Sequence, residues 1–474
     1  MSADIATSDP WTVRAALRCA AWAERWFPDA WVFAALGVVL VAAAALATGA
    51  SPKATVEAFG SGFWSLIPFT MQMAFVVIGG YVLASAPPVA RMIERLARWP
   101  RSGRGAVTFV ALASMLTSLL SWGFSLVFSG LLVRALAKRT GLAMDYRAAG
   151  AAAYLGLGSV WAMGLSSSAA QLQANPASMP PGLLEITGVL PFTQTIFLWQ
   201  SLALTAVLIA VSAALAWWTA PGAAQARTAA DFADARLEAQ APPASRTRPG
   251  EWLEFSPLLT VLLSLLAFGW LGYRFASAPW AQVIADLNTY NLLFLSLGLL
   301  LHGRPRGFLD AVNRAVPGTA GVLVQFPLYG VIATVLTQVP GADGQTLAHR
   351  LSELFVRVAT QDSFAPVIGA YSAVLGFFVP SGGGKWIIEA PYVMEAANAL
   401  RVHLGWTVQI YNAAEALPNL INPFWMLPLL GVLGLKARDI VGFTFVQFVV
   451  HVPLVLLMLW LFGLTLDYVP PVAP

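Results

Sequence analysis

Apolar segments of membrane-spanning length recur along this chain of 474 residues and restrict its fold more than any other feature. A helix of about 20 apolar residues covers a hydrocarbon core of about 30 Å. Segments of about this length lie at 30–48, 64–86, 147–165, 187–217, 255–275, 286–301, 317–338, 406–433 and 440–464. Hydrophobic residues make up 58% of the chain and charged residues 11%, more apolar sequence than a soluble core needs. Because backbone groups in a bilayer must bond within their own segment, the chain is predicted to be an all-α polytopic membrane protein.

The run SGGGKW at 381–386 lies inside a long apolar stretch and predicts a break in it. Each glycine in a helix interior costs about 1 kcal/mol relative to alanine, so three in succession do not favour a continuous helix. A broken segment persists in a bilayer only where its freed backbone groups face protein or water. Together with the intramembrane Lys385, the break therefore predicts a ligand site.

Positively charged residues indicate how the segments cross the bilayer. Of the 27 lysine and arginine residues, 21 lie in six clusters, at 14–25, 91–104, 134–147, 227–248, 304–314 and 436–438. Since positive charge favours the cytoplasmic side, all six clusters and the N-terminus are predicted to be cytoplasmic. The apolar stretch from Gly105 to Val133 lies between two clusters and must enter and leave on one side. Its polar centre, Ser121-Trp122-Gly123, predicts the tip of a re-entrant hairpin.

The stretch around Ser381 is predicted to form a second hairpin, inserted from the opposite face, because its flanking sequences lie outside in the same scheme. Each hairpin is followed by a helix with a polar break. The break residues are Ser166, Ser167 and Ser168 in the first half, and Asn419 with Asn422 in the second. The same order of parts in opposite orientation predicts inverted-topology repeats, in which substrate and coupling ions bind at the repeat interface.

This scheme divides the chain into five parts. They are a cytoplasmic amphipathic N-terminal segment (1–29), a first membrane repeat (30–220), a cytoplasmic linker (221–250), a second membrane repeat (251–466) and a C-terminal tail (467–474). Three arginines at helical spacing against aromatic residues favour an N-terminal helix on the membrane surface. The linker is rich in alanine, proline and arginine and is predicted to be mobile. No basic and aromatic cluster typical of nucleic-acid binding occurs, so no nucleic-acid partner is predicted.

The residues FFVPSGGGKW at 377–386, together with the run SWGF at 121–124, resemble the AtoE-type short-chain fatty acid transporter family. The resemblance covers nearly the whole chain and implies membership of the ion transporter superfamily, whose divalent-anion symporters use two opposed hairpins in a mobile, elevator-like domain. It implies secondary transport of acetoacetate, butyrate or similar monocarboxylates across the bacterial inner membrane, and by analogy a homodimer. Ser121 stands where the family usually has asparagine, and Lys385 where an uncharged amide is expected.

A small carboxylate substrate needs hydrogen-bond donors, positive potential and an apolar wall. The second hairpin tip offers backbone N–H groups and the positive end of the following half-helix. The candidate residues there are Ser381, Gly382, Gly383, Gly384, Lys385 and Trp386, with Trp122 as a second part of the wall. For Lys385 the alternatives are an ion pair with Glu389 one turn later and extension of its charge to the membrane surface.

Polar residues elsewhere are candidates to complete the site. They are Ser121 and Gly123 beside Trp122, and Ser166, Ser167, Ser168, Asn419 and Asn422 at the two helix breaks. Serines in membrane helices also bond to their own backbone, which stays an alternative. Glu415, one turn before Asn419, is the candidate for binding a coupling ion, H⁺ or Na⁺; its alternative is a carboxylate reached by water or paired with Lys385 or Arg401. The spacing of the histidines suggests no metal site, and no cofactor is predicted.

A secondary transporter of monocarboxylates is the function that these features favour. A second hypothesis keeps the fold but assigns a dicarboxylate, an amino acid or another small organic anion as substrate, coupled to an ion. A channel would differ by linear, non-saturating flux. An intramembrane enzyme is a remote alternative, because the chain has no His-Glu-x-x-His helix and the candidate serines have no evident base.

Overall fold

The computed structural model of the chain describes residues 30–471, except 233–234, 236–245, 279, 380 and 423. The predicted amphipathic segment at 1–29 and most of the central part of the predicted linker therefore lie outside the described residues. Every regular element in the described ranges is a helix.

The first half begins with α1, and its helices are short where proline or glycine punctuates the sequence. They are α1 (Ala30–Ala47), α2 (Pro52–Ser65), α3 (Ile67–Ala84), α4 (Pro87–Leu96), α5 (Gly103–Leu120), α6 (Trp122–Ala137), α7 (Tyr146–Leu155), α8 (Ser168–Ala174), α9 (Pro181–Thr187) and α10 (Trp199–Thr219). The apolar segment predicted from 187 becomes helical only at Trp199, because Gly188 has a φ of 59° and Pro191 follows it.

The second half has a similar order of long and broken helices. They are α11 (Trp252–Phe255), α12 (Leu258–Ser277), α13 (Trp280–Ala285), α14 (Leu287–His302), α15 (Pro305–Ala315), α16 (Ala320–Gln338), α17 (Leu347–Val358), α18 (Phe364–Phe378), α19 (Gly382–Ala399), α20 (Leu404–Asn419), α21 (Leu427–Leu433) and α22 (Ala437–Gly463). The predicted break in the segment 406–433 is present directly after Asn419.

Seven helical stretches in the described ranges are long and apolar enough to cross a membrane, at 52–84, 103–120, 146–174, 199–219, 249–277, 305–338 and 437–463. Large apolar side chains on α12, such as Leu262, Leu266 and Trp270, are exposed, as they are on helices that face lipid. The prediction of an all-helical chain with several apolar helices of spanning length is confirmed. The side of the membrane on which each loop lies stays a prediction.

Each predicted hairpin consists of two helices, and the second helix begins directly after a serine. Hairpin 1 comprises α5 and α6 with its tip at Ser121, and Ser125 Oγ of the second arm donates to Ser114 O of the first arm at 2.7 Å. Hairpin 2 comprises α18 and α19 with its tip at Ser381. Its arms are joined by the Tyr371 and Tyr392 hydroxyls, 2.8 Å apart. Bonds between residues at nearly equal distances from the tip show that the arms run antiparallel.

The packing partners of the helices recur in the two halves. α3 packs on α14 and α6, and α16 packs correspondingly on α1 and α19. In each half the first hairpin arm packs on the next helix, α5 on α7 and α18 on α20. The last helix of each half packs on the same arm, α10 on α5 and α22 on α18. The hairpins and broken helices thus occupy equivalent places in the two halves.

Candidate functional site

The two hairpin tips have the same backbone geometry. Ser121 has φ −156° and ψ 117°, and its hydroxyl accepts from the N–H of Phe124 at 3.3 Å. Ser381 has φ −150° and ψ 101°, and its hydroxyl accepts from the N–H of Gly384 at 3.2 Å. A serine in extended conformation satisfies one of the free N–H groups at a helix start. Both predicted tip serines are therefore N-caps of the second hairpin arm.

The glycines of the second tip are helical, which corrects the expectation that they break the helix. Gly382, Gly383 and Gly384 form the first turn of α19, and α18 ends before them at Phe378. A helix start tolerates residues with poor propensity because its first N–H groups have no intrahelical partner in any case. The glycines are needed for close packing, since a Cβ at Gly382 would overlap the Trp161 ring and one at Gly384 would overlap the Tyr329 ring.

The first tip is closed by backbone and tryptophan contacts. A Cβ at Gly123 would lie 3.3 Å from Val76 O on α3. Trp122 packs edge-on against Trp425, with ring centroids 5.5 Å apart. Trp425 follows the helix break of the second half, just as Trp161 lies in the helix break of the first half. Each hairpin tip therefore contacts the broken helix of the opposite half.

The break in the first half is longer than the three predicted serines. After α7 the chain forms a π-helix at Gly156–Val160 and a 3₁₀ turn at Trp161–Met163. Ser166 Oγ donates to Ser118 O at 2.7 Å, next to the first tip. Ser167 caps α8 and donates to Asn412 Oδ1 of α20 at 3.1 Å. The break is thus held to hairpin 1 on one side and to the second half on the other.

Ser168, Asn419 and Asn422 lie at the same junction. Ser168 Oγ lies 3.6 Å from Met73 Sδ. A Cβ placed on Gly383 would lie 3.3 Å from Ser168 Cβ. The Asn422 side-chain amide donates to Phe377 O of hairpin 2 at 3.4 Å. Asn419 O accepts from the Tyr154 hydroxyl at 3.0 Å, and its Oδ1 has no hydrogen-bond partner in the described part of the chain.

Lys385 forms the ion pair that was the alternative to substrate binding. Its Nζ lies 3.1 Å from Glu389 Oε2 and 3.0 Å from Glu415 Oε2, and all three side chains have no exposed surface. The ammonium group also donates to Ser372 O at 2.9 Å and lies 4.4 Å from the Tyr411 ring centroid. Glu415 accordingly pairs with Lys385, and not with Arg401. A direct contact between Lys385 and a substrate carboxylate stays a prediction.

Polar residues on α20 and aromatic residues around the second tip also belong to the site and were not predicted from the sequence. Gln409 and Asn412 precede Glu415 and Asn419 at helical spacing, and both are buried. Within the described ranges, neither polar atom of the Gln409 side chain nor Asn412 Nδ2 has a hydrogen-bond partner. Polar residues at helical spacing in an apolar segment could have been recognised in the sequence as candidate site residues. The contacts of Trp161, Tyr329 and Tyr411 with the tip had no such signal.

The arrangement is an enclosed polar centre between the halves. Every predicted site residue is buried. Buried polar atoms normally have hydrogen-bond partners, yet the indole N–H groups of Trp161 and Trp386 have none among the described residues. Trp386 packs on Tyr411 with centroids 4.6 Å apart. The second tip, the first-half break and α20 thus converge, while Trp122 and Ser121 lie at the corresponding junction of the other tip.

Replacing Ser381 with alanine is expected to destabilise the start of α19 by about 1 kcal/mol, because the N-cap bond is lost. If the capped tip is the binding-competent form, transport should fall about fivefold. Ser102→Ala is the matched control, since Ser102 caps α5 in the same way, accepting from Gly105 N at 3.1 Å, but is exposed and remote from the tips. Equal transport losses in the two variants would contradict a special role for Ser381.

Comparisons with known proteins agree on one family. The family model described as "Short chain fatty acid transporter" matches residues 12–462. A relative in Escherichia coli K12 is 34% identical over 429 residues, covering 89% of this chain and 93% of the relative. One in Haemophilus influenzae is 30% identical over 448 residues, covering 92% and 97%. Both are provisionally named short-chain fatty acid transporters.

Two solved structures share the fold at low sequence identity. The YdaH transporter of Alcanivorax borkumensis is 14% identical with a TM-score of 0.57, covering 92% of this chain and 97% of its own. MtrF of Neisseria gonorrhoeae, described with a class of antimetabolite efflux pumps, is 12% identical with a TM-score of 0.56, covering 97% and 100%. Both likenesses concern the fold alone.

Proposed function

Because the chain belongs to the short-chain fatty acid transporter family, we propose that it is a secondary transporter of acetoacetate- or butyrate-like monocarboxylates in the bacterial inner membrane. The observation that carries this proposal is the meeting of the capped tip of hairpin 2 with the broken helix of the other half, where indole N–H groups have no described partner. A carboxylate is an acceptor for such donors, and the N-terminal end of α19 adds positive potential.

The two halves are proposed to be inverted-topology repeats with an elevator-like movement. In support, equivalent helices pack on equivalent partners, and each hairpin tip contacts the broken helix of the opposite half. The site is enclosed, so substrate entry requires the tip of hairpin 2 to separate from Trp161 and Tyr329. A homodimer would provide a fixed frame for that movement.

The charges of Lys385, Glu389 and Glu415 favour a monocarboxylate substrate over a dicarboxylate. The Lys385 ammonium already faces two carboxylates, Glu389 and Glu415, so it leaves no uncompensated positive charge for a second substrate carboxylate. The apolar tail would pack on tryptophan, with Trp386 the candidate at the second tip. Coupling to H⁺ or Na⁺ through Glu415 is part of the proposal.

Uptake of radiolabelled butyrate and acetoacetate into proteoliposomes, with a proton gradient, a sodium gradient or neither, tests the proposal. We expect saturable uptake that unlabelled monocarboxylates inhibit and succinate does not. Linear, non-saturating flux would instead indicate a channel. No uptake of either acid by correctly folded protein would contradict the proposed substrate class.

Replacing Trp161 with phenylalanine keeps an aromatic ring at the tip but removes the unpartnered N–H donor. A lost hydrogen bond to a charged ligand costs about 1.5–3 kcal/mol, so KM for butyrate is expected to rise at least about tenfold. Trp99→Phe is the control, because Trp99 is exposed and lies near Phe109, away from the tips. An unchanged KM in Trp161→Phe would remove this residue from the site.

A further inference from the structure

Lys385 lies equally close to Glu389 and Glu415, but the two carboxylates differ in the hydrogen bonds that they accept. Glu389 Oε2 accepts from both Lys385 Nζ and Ser372 Oγ, each at 3.1 Å. Glu415 Oε2 lies 3.0 Å from Lys385 Nζ, but neither Glu415 oxygen has a hydrogen-bond partner within the described ranges. Ser372 also accepts from Lys385 at 2.7 Å. Lys385, Ser372 and Glu389 therefore form a hydrogen-bonded neutral unit, although Glu389 Oε1 has no partner among the described residues, and Glu415 is the carboxyl in surplus.

An ionised Glu415 side chain would be energetically unfavourable in this position. With all three groups charged, the cluster carries one net negative charge at a position with no exposed surface. Desolvation of an unpaired buried charge is strongly unfavourable, and such a group is neutralised instead. In this enclosed form, Glu415 requires either a proton or a bound cation.

The surroundings of Glu415 fit a proton and not a metal ion. A sodium ion on this carboxylate would lie beside the Lys385 ammonium, which would repel it. It would also need several further oxygen ligands, as oxygen-binding cations do. A Cβ on Gly376 would lie 2.9 Å from Glu415 Oε2, and Pro418 and the Tyr411 ring line the same space. On this side of Glu415 these groups place carbon and not oxygen.

We propose that Glu415 is the proton-binding residue of the transport cycle and that one proton moves with each monocarboxylate. The inference rests on the proposed function. A proton from water on the entry side forms the O–H bond of the Glu415 carboxyl before hairpin 2 closes. That bond breaks to water on the exit side after it reopens, which restores the carboxylate. The substrate anion and the proton together carry no net charge, so the cycle is electroneutral.

The titratable groups facing this cluster come from five helices. They are Lys385, Glu389 and Tyr392 on α19, Tyr411 on α20, Tyr371 on α18 and Tyr329 on α16, with the hydroxyl of Tyr154 on α7 near Asn419. The phenols stay neutral at physiological pH. Of the described neighbours, only Glu389 competes with Glu415 for the proton, and of the two carboxyls only Glu389 accepts a hydrogen bond from Ser372.

Proton movement and substrate uptake should be measured together in proteoliposomes that contain a trapped pH dye. For wild type we expect about one proton per butyrate, because one carboxyl is in surplus, and no effect of an imposed membrane potential. In Glu415→Gln this ratio should fall towards zero, whatever the residual rate. Glu395→Gln is the control, since Glu395 lies on α19 but bonds to the half-exposed His349; its ratio should remain that of wild type.

Infrared spectroscopy of the reconstituted protein provides a second readout that needs no transport. The carbonyl stretch of a protonated carboxylic acid should be present at pH 7 in wild type and Glu395→Gln, and absent in Glu415→Gln. Butyrate uptake without proton movement, or driven by a sodium gradient, would overturn the proton site and leave the proposed function intact. No butyrate uptake would overturn the proposed function, while the infrared band would still decide whether Glu415 is protonated.

Discussion

Replacing Lys385 with methionine should be the most destabilising single substitution in the membrane core, with an expected loss of about 3–5 kcal/mol. The change leaves Glu389 and Glu415 facing each other without the ammonium group that lies 3.1 and 3.0 Å from them. Glu389 would lose its counter-charge and, like Glu415, would have to be neutralised in a site without exposed surface. We expect a lower apparent melting temperature in detergent and little correctly folded protein.

Two further variants serve as controls for the Lys385→Met prediction. Lys53→Met removes an ion pair with Glu57 in which the side chains are 84% and 66% exposed, and it should change stability little. In the double variant Lys385→Met with Glu389→Gln, the carboxylate that Lys385 compensates is gone as well, so part of the stability should return. A Lys385→Met protein as stable as wild type would mean that the ion pairs do not persist in the membrane.

Replacing Gly382 with alanine is expected to lower butyrate uptake at least about fivefold, because the added methyl group overlaps the Trp161 ring. Overpacking of a filled site costs about 1–3 kcal/mol, and each 1.4 kcal/mol is about tenfold in an equilibrium. The closed form of hairpin 2 would bear this cost, whereas the open form would not. Uptake kinetics on equal amounts of folded protein measure the effect.

Gly269→Ala is the matched control for this substitution. Gly269 lies within α12, and a Cβ there would meet nothing within 4 Å. Alanine favours the helix over glycine, so this variant should be as stable as wild type or slightly more so, with unchanged uptake. If Gly382→Ala transports like Gly269→Ala, the contact between the tip and Trp161 does not belong to the transport cycle.

Local sequence predicted the helices and most of their breaks. Ser121 lies between two helices, as the polar centre of that apolar stretch indicated, and the structure adds that it caps the second helix. The break after Asn419 followed from Pro418 and Asn419 inside an apolar segment. The glycines at 382–384 were misjudged because propensity was applied as for a helix interior, whereas they occupy a helix start that does not require their N–H groups to be bonded internally.

The tertiary contacts of the site residues could not be predicted from local sequence. Ser167 meets Asn412 across 245 positions of sequence, and Tyr154 meets Asn419 across 265. Helical periodicity assigns a residue to a face of its own helix but does not identify the opposing face. The ion pair of Lys385 with Glu389 was readable as a spacing of four residues, but the third member, Glu415, was only one of several partners considered.

The sequence by itself determined that this chain is a multi-pass helical membrane protein of the short-chain fatty acid transporter family, with breaks near Ser121 and Ser381. Those features depend on composition, on helix length and on hydrogen bonds within a few residues. Only the tertiary structure decided that the second tip is held by Trp161, Tyr329 and Tyr411, and that Glu415 is a surplus carboxyl. The first depends on which faces of distant helices pack together. The second depends on the net charge of groups that are buried in one place.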